Sequence, residues 1–218
     1  MNVYTKSMTN FDGRGMRECL RVEVSGEDYL EVEKESDHFW ARDEKEKKNP
    51  SQYTKGVGNS QDDPHRASRT GLLGEVAFGK IIGLPADIAY KKGGQKEDFT
   101  LPVNLPKEGI KEYSLDVKTA MSLRDAKGLI QCVNSRGKVI PLHCDYYVFS
   151  FISKEDRQSK KAYVTFAGFL WKHEMKKYGL KQGRRGSSHK NIEVPYEDTR
   201  LIDLMLNWFN LYKSNSSD

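Results

Sequence analysis

Cysteine is scarce in this chain of 218 residues. It has three, Cys19, Cys132 and Cys144, and no C-x-x-C pair among them. An odd, sparse set argues against a disulfide framework and against a structural zinc site, and fits a reducing compartment with plain buried thiols. Long apolar runs are missing too. None approaches the roughly 20 residues of a membrane helix, and the opening Met1-Asn2-Val3-Tyr4-Thr5-Lys6 has no signal-peptide core. The expectation is a soluble, intracellular protein with no membrane partner. The sequence also lacks a Walker loop, G-x-G-x-x-G, G-x-S-x-G, H-E-x-x-H and H-x-H. The corresponding phosphate-cradling, dinucleotide, serine-hydrolase and zinc-hydrolase readings therefore have no support. Hydrophobic content is low at 37% and charged content high at 31%. A net charge of +5 is compatible with a polyanionic partner without requiring one.

The length suits one domain with decorations. Residues 1–63 read as an N-terminal extension, and residues 64–213 as a core with a C-terminal helix. In the extension, Leu20–Val24 and Tyr29–Val32 are candidate strands joined as a hairpin by Ser25-Gly26-Glu27-Asp28. The polar stretch 41–63, headed by Arg42-Asp43-Glu44-Lys45-Glu46-Lys47-Lys48, reads as a solvated helix or linker. Pro64 to Ile82 predicts a helix, capped by Asp62 or Asp63 and stopped at Gly83. Strands are expected at 98–103 and 113–120, forming an antiparallel hairpin, and again at 145–152 and 161–167. A helix at 168–178 and another at 198–212 complete the order. Together they predict an α/β protein with a mixed central sheet flanked by helices.

The informative stretch is Ser114-Leu115-Asp116-Val117-Lys118-Thr119. Side chains alternate along a strand, so Asp116 and Lys118 share one face while Leu115, Val117 and Thr119 turn to the core. Acid-x-lysine triplets also occur at Asp43, Glu46, Asp125 and Glu174, in polar or helical settings. A carboxylate and an ammonium fixed on one strand can hold a metal ion and place a water beside it. Glu75 and Asp98 are the acids that would complete such a site. Glu75 lies on a partly apolar helix stripe with Gly71, Leu72, Phe78 and Gly79, where a carboxylate needs a partner. Glycine inside a helix costs roughly 1 kcal/mol against alanine, so Gly71, Gly74 and Gly79 call for a packing reason. The plain structural alternatives are a surface ion pair at 116–118, a helix-packing role around Glu75, and a turn-capping Asp98 with Glu97 beside it.

Taken in order, Gly71-Leu72-Leu73-Gly74-Glu75-Val76-Ala77, Asp98-Phe99 and Leu115-Asp116-Val117-Lys118-Thr119 resemble the PD-(D/E)xK nuclease superfamily, with its restriction-endonuclease-like fold. The resemblance spans about residues 65–195. It departs from the pattern before Asp98, where Lys96-Glu97 replaces the usual proline. It implies a metal-dependent phosphodiesterase, in first place a DNA endonuclease. Glu75, Asp98, Asp116 and the Val117 backbone carbonyl would be oxygen ligands for Mg²⁺, with Mn²⁺ as substitute, and Lys118 would orient the attacking water or stabilise developing charge. Two alternatives stay open: a non-catalytic nucleic-acid-binding or assembly protein on the same fold, and a nuclease for branched DNA or RNA. Cleavage of both strands would call for a homodimer. The nucleic-acid contacts expected are Lys181, Gln182, Arg184, Arg185 and Lys190 around a Gly183–Gly186 loop, with Arg124, Lys127, Arg136 and Lys138 as a second basic segment. The five histidines read mainly as structural or surface residues.

Overall fold

A computed structural model of the chain describes residues 4–11, 15–46, 65–89, 97–105, 107–123, 127–133, 138–182 and 190–213. In chain order the elements are β1 (Tyr4–Asn10), β2 (Met16–Ser25), α1 (Glu27–Glu46), α2 (Arg66–Ile82), β3 (Phe99–Leu105), β4 (Gly109–Ala120) and β5 (Lys127–Val133). They continue with β6 (Tyr146–Asp156), β7 (Lys161–Trp171), a 3₁₀ turn (Lys172–Lys177), β8 (Leu180–Gln182), β9 (Lys190–Pro195) and α3 (Ile202–Lys213). Six strands build a central sheet in the order β1-β2-β7-β6-β4-β3, and β5-β9-β8 form a smaller one. The expected hairpin is present, with β3 antiparallel to β4 from Leu105↔Gly109 to Phe99↔Leu115. Next to it β4 pairs in parallel with β6, which makes the sheet mixed.

Alternation along the strands separates two apolar layers. Tyr146, Val148 and Ile152 of β6 join residues of all three helices, among them Val32, Leu73, Phe78 and Met205. Tyr147, Phe149 and Phe151, on the other face, join Ile130, Cys132, Ile192 and Val194 of the small sheet. Helices therefore flank one face of the sheet, and the three-stranded sheet covers the other. The small sheet sits close: a Cβ at Gly128 would fall 2.0 Å from the Phe149 ring. Strand β6 runs between both layers, which accounts for its almost unbroken apolar sequence.

Helix α2 starts at Arg66, and Gly83 takes the left-handed conformation (φ 69°) that closes it. The proposed caps Asp62 and Asp63, and Pro64, lie outside the described residues. Three expectations are corrected. Tyr29–Val32 belongs to α1, because Tyr29, Val32 and Ser36 fall on one buried helical stripe. The N-terminal hairpin is instead β1–β2, and β2 is an interior strand bonded to β7. Residues 168–171 extend β7 rather than starting a helix, and the following turn is a short 3₁₀. The small sheet, β5, β8 and β9, has no counterpart in the sequence expectations.

Candidate functional site

Strand β3 begins at Phe99, opposite Leu115, so residues 116–120 of β4 keep their β6 neighbour but have no β3 partner. Among the described residues no other strand covers that edge, and Asp98 occupies it. Asp98, just before β3, donates its N–H to the Leu115 carbonyl at 2.9 Å. Its carboxylate then stands in for the missing strand: Val117 N–H donates to Asp98 Oδ2 at 2.6 Å. In a ladder the N–H and C=O of one residue point to the same side, so the Val117 carbonyl faces this edge as well.

Asp116 and Lys118 lie opposite Tyr147 and Phe149 of β6, and so share the face covered by the small sheet. Lys118 Nζ is 2.6 Å from Asp116 Oδ1. Asp116 is 6% exposed, and this ammonium compensates its charge. Glu75 arrives from the opposite face on α2. The helix can approach so closely because a Cβ at Gly74 would meet Thr119 Oγ1 at 1.7 Å. Gly79 is tight against the Leu84 carbonyl, whereas Gly71 faces open space, so the packing reason expected for Gly71 is absent.

The electrostatics bind the four residues into one group. Burial pushes the Glu75 carboxyl up to about 7, with Asp116 and Asp87 adding to the rise against the pull of Lys118. Burial, Glu75 and Asp116 push Asp98 up to about 8, against the Val117 N–H and Lys118. For Lys118 burial acts downward, but Asp116, Asp98 and Glu75 outweigh it and the ammonium is held above its ordinary pKa. Negative groups thus exceed positive ones in a poorly solvated place. The donor set suits a hard cation: carboxylate oxygens and a strand carbonyl. Mg²⁺ needs few of them, because it keeps several waters and takes one or two carboxylates together with a substrate phosphate.

Among the described residues, the set whose ligand atoms all lie within 4.8 Å of one another is a different one: Asp116, His143 and Cys144. The sequence reading left His143 and Cys144 out. Their approach depends on the parallel β4–β6 pairing, in which Leu115 faces Tyr146. Ser114 fastens it: its N–H and hydroxyl donate to Asp145 Oδ2 at 2.9 and 3.0 Å, and its carbonyl accepts the Asp145 N–H at 2.9 Å. The signal in the sequence was a His-Cys pair directly before an apolar strand, which means little until that strand's neighbour is known.

The expected nucleic-acid contacts divide. Lys181 and Gln182 on β8 face Asn191 and Lys190 on β9. Lys181 and Lys127 both pair with Glu193, at 3.2 and 3.1 Å, which reduces the charge they offer outward. Arg184 and Arg185, like Arg124 and Arg136, lie outside the described residues. Cys19, Cys132 and Cys144 are all buried, and none is joined to another by a disulfide. Among the described residues no helix is long and apolar enough to cross a membrane. No protein-family model, no curated protein and no solved structure gives a significant match to this chain.

Proposed function

We propose that this protein is a metal-dependent nuclease of the PD-(D/E)xK type, hydrolysing phosphodiester bonds in DNA with Mg²⁺, on a restriction-endonuclease-like core. The observation that carries the reading is the mutual influence of four charged groups around residues 116–118 of β4. Glu75, Asp98 and Asp116 form a mutually repelling acid group with Lys118 as its cation. The order of elements supports it: a helix bearing the glutamate, a hairpin bearing Asp98 and then Asp116-x-Lys118, and a parallel β6 beside it.

The residues divide the work. A divalent cation at Glu75, Asp98, Asp116 and the Val117 carbonyl would offset charge on the scissile phosphate and acidify a bound water. Asp116 holds the Lys118 ammonium in position by their 2.6 Å contact. From there Lys118 orients the attacking water or donates to a phosphate oxygen as negative charge builds. Water gives up a proton to solvent as its oxygen bonds to phosphorus, the bond to the departing sugar oxygen breaks, and that oxygen takes up a proton from solvent. The raised carboxyls of Glu75 and Asp98 would have to give up their protons to solvent for a cation to be held there. Lys181, Gln182 and Lys190, with Arg184 and Arg185 outside the described residues, remain the proposed contacts to the nucleic acid. A homodimer remains the proposed assembly for cutting both strands.

The test is cleavage of supercoiled and linear DNA with and without Mg²⁺. Wild-type protein is expected to cleave with Mg²⁺ or Mn²⁺ and not with chelator. Asp116→Ala and Lys118→Ala should each lower the rate by about a hundredfold or more. Cleavage undiminished in both variants would mark a contaminant. Wild-type protein that binds DNA but never cleaves it would favour the non-catalytic binding role, and preference for branched DNA or RNA would redirect the substrate.

A further inference from the structure

We propose that Asp116, His143 and Cys144 form a second metal site, suited to a borderline-soft divalent ion such as Zn²⁺, that shares Asp116 with the oxygen-rich group and so sets Zn²⁺ against Mg²⁺. The competition half of this inference rests on the nuclease reading. The binding half does not.

The donor chemistry separates the two groups. A thiol, an imidazole and one carboxylate match Zn²⁺, Co²⁺ or Ni²⁺, whereas Mg²⁺ prefers oxygen alone. Three protein ligands leave one position of a tetrahedral ion for water. One carboxylate and one thiolate balance the ion's double charge, which suits a place where Cys144 is fully buried and Asp116 nearly so. The Cys144 thiol gives its proton to solvent as the metal–sulfur bond forms, and nothing is oxidised or reduced.

The geometry is close to what an ion needs. The three ligand atoms lie within 4.8 Å of one another. Metal–ligand lengths of about 2.0–2.3 Å put ligands of a tetrahedral site roughly 3.3–3.7 Å apart, so closure by about an ångström suffices. Two ligands sit on anchored backbone: Asp116 in β4, and Cys144 next to the Ser114–Asp145 clamp. The backbone N–H groups of Cys144 and His143 also engage the Tyr147 hydroxyl, on the β6 residue opposite Asp116. His143 is exposed and sits in a segment without regular structure, and among the described residues its ring has a weak contact, Nδ1 to the Pro141 carbonyl at 3.4 Å. It can swing the remaining distance and is the side from which an ion enters. An ion held there draws the Asp116 carboxylate away from Lys118 and from the oxygen-rich group.

Co²⁺ is the probe, because thiolate ligation gives a near-ultraviolet charge-transfer band that oxygen ligation does not. The full chain with one equivalent of Co²⁺ should show that band, and an equal amount of Zn²⁺ should bleach it. Cys144→Ser should abolish it, while Cys19→Ala and Cys132→Ala keep it. His143→Ala, a change at an exposed position, should weaken Co²⁺ binding about tenfold or more with an unaltered far-ultraviolet circular dichroism spectrum. No band in the wild type, a band surviving Cys144→Ser, or unchanged affinity in folded His143→Ala would each overturn the site. In a second arm Zn²⁺ is titrated into the Mg²⁺-dependent cleavage reaction, each protein scaled to its own zinc-free rate. Inhibition should require about tenfold more Zn²⁺ in His143→Ala. Equal inhibition of both would overturn the shared role of Asp116, and absence of any cleavage would fault the nuclease reading while leaving the Co²⁺ result to decide the site.

Discussion

A Cβ at position 74 would lie 1.7 Å from Thr119 Oγ1 and 2.9 Å from Thr119 Cβ, both on a sheet strand that cannot yield easily. Gly74→Ala should therefore destabilise the protein by about 1–3 kcal/mol, although alanine in an unconstrained helix would gain roughly 1 kcal/mol. Urea denaturation measures this. Thr119→Ala in the same chain should recover part of the loss by removing Oγ1, at the expense of the Thr119–Ser150 hydroxyl contact of 2.9 Å. A Gly74→Ala variant as stable as wild type would mean that α2 does not ride so close to β4, and the delivery of Glu75 would need another account. At this scale the sequence exposed the acids for a simple reason. Asp116 and Lys118 share a face by strand periodicity, and Glu75 stood out as a carboxylate on an apolar helix stripe. Asp98 was visible from its place at the head of a hairpin strand. His143 and Cys144 were not visible, because no local pattern says that residue 144 approaches residue 116. That is a consequence of strand pairing.

Helix α2 is held by a partly buried cluster that ties three elements together. Arg69 Nε donates to Glu155 Oε1 of β6 at 2.9 Å, and the Tyr29 hydroxyl of α1 donates to the same oxygen at 2.8 Å. Without Arg69 the half-buried Glu155 carboxylate keeps, among the described residues, only the Tyr29 hydroxyl and the Arg157 guanidinium 4.0 Å away, so Arg69→Met should cost about 1.5–3 kcal/mol in chemical denaturation. Adding Glu155→Leu should return part of that loss, and strict additivity of the two changes would argue against the cluster acting as a unit. The elements that sequence reading recovered carry strong local signals: the long apolar periodicity of α2 with its closing glycine, the β3–β4 hairpin, and the unbroken apolar run of β6. Those it missed carry ambiguous ones. Tyr29-Leu30-Glu31-Val32 contains strand-forming residues, yet Tyr29, Val32 and Ser36 also repeat at helical spacing, and contact with α2 decides for helix. Leu180–Gln182 is three residues long and exposed throughout, and becomes a strand through its partner β9.

The acid group should couple the stability of the whole molecule to pH and, on the proposed function, to metal. Glu75 and Asp98 have folded-state pKa values raised to about 7 and about 8, mainly by burial. In the unfolded chain they titrate near about 4. Between these limits the native state binds more protons than the unfolded state, so the slope of unfolding free energy with pH is negative. Metal-free protein should therefore lose stability as pH rises from about 5 to about 8, as the two carboxyls are forced to ionise in place. This runs opposite to a protein whose carboxylates sit in salt bridges. Glu75→Gln should flatten the slope, and an unchanged slope in that variant would place the coupling elsewhere. On the proposed function, a cation that binds only the ionised group would reverse the trend. At a hundred times its Kd it adds about 2.7 kcal/mol, roughly 5–10 °C in Tm for a chain of this size. The rise with Mg²⁺ should be larger at pH 8 than at pH 6, because fewer protons must be displaced. Asp116→Asn should remove most of it, since it takes away a ligand and the anchor of Lys118 together. Thermal melts across pH, with Mg²⁺ and with chelator, decide the matter. A wild-type melt indifferent to Mg²⁺ at pH 8 would remove the reason to read this acid group as a metal site at all.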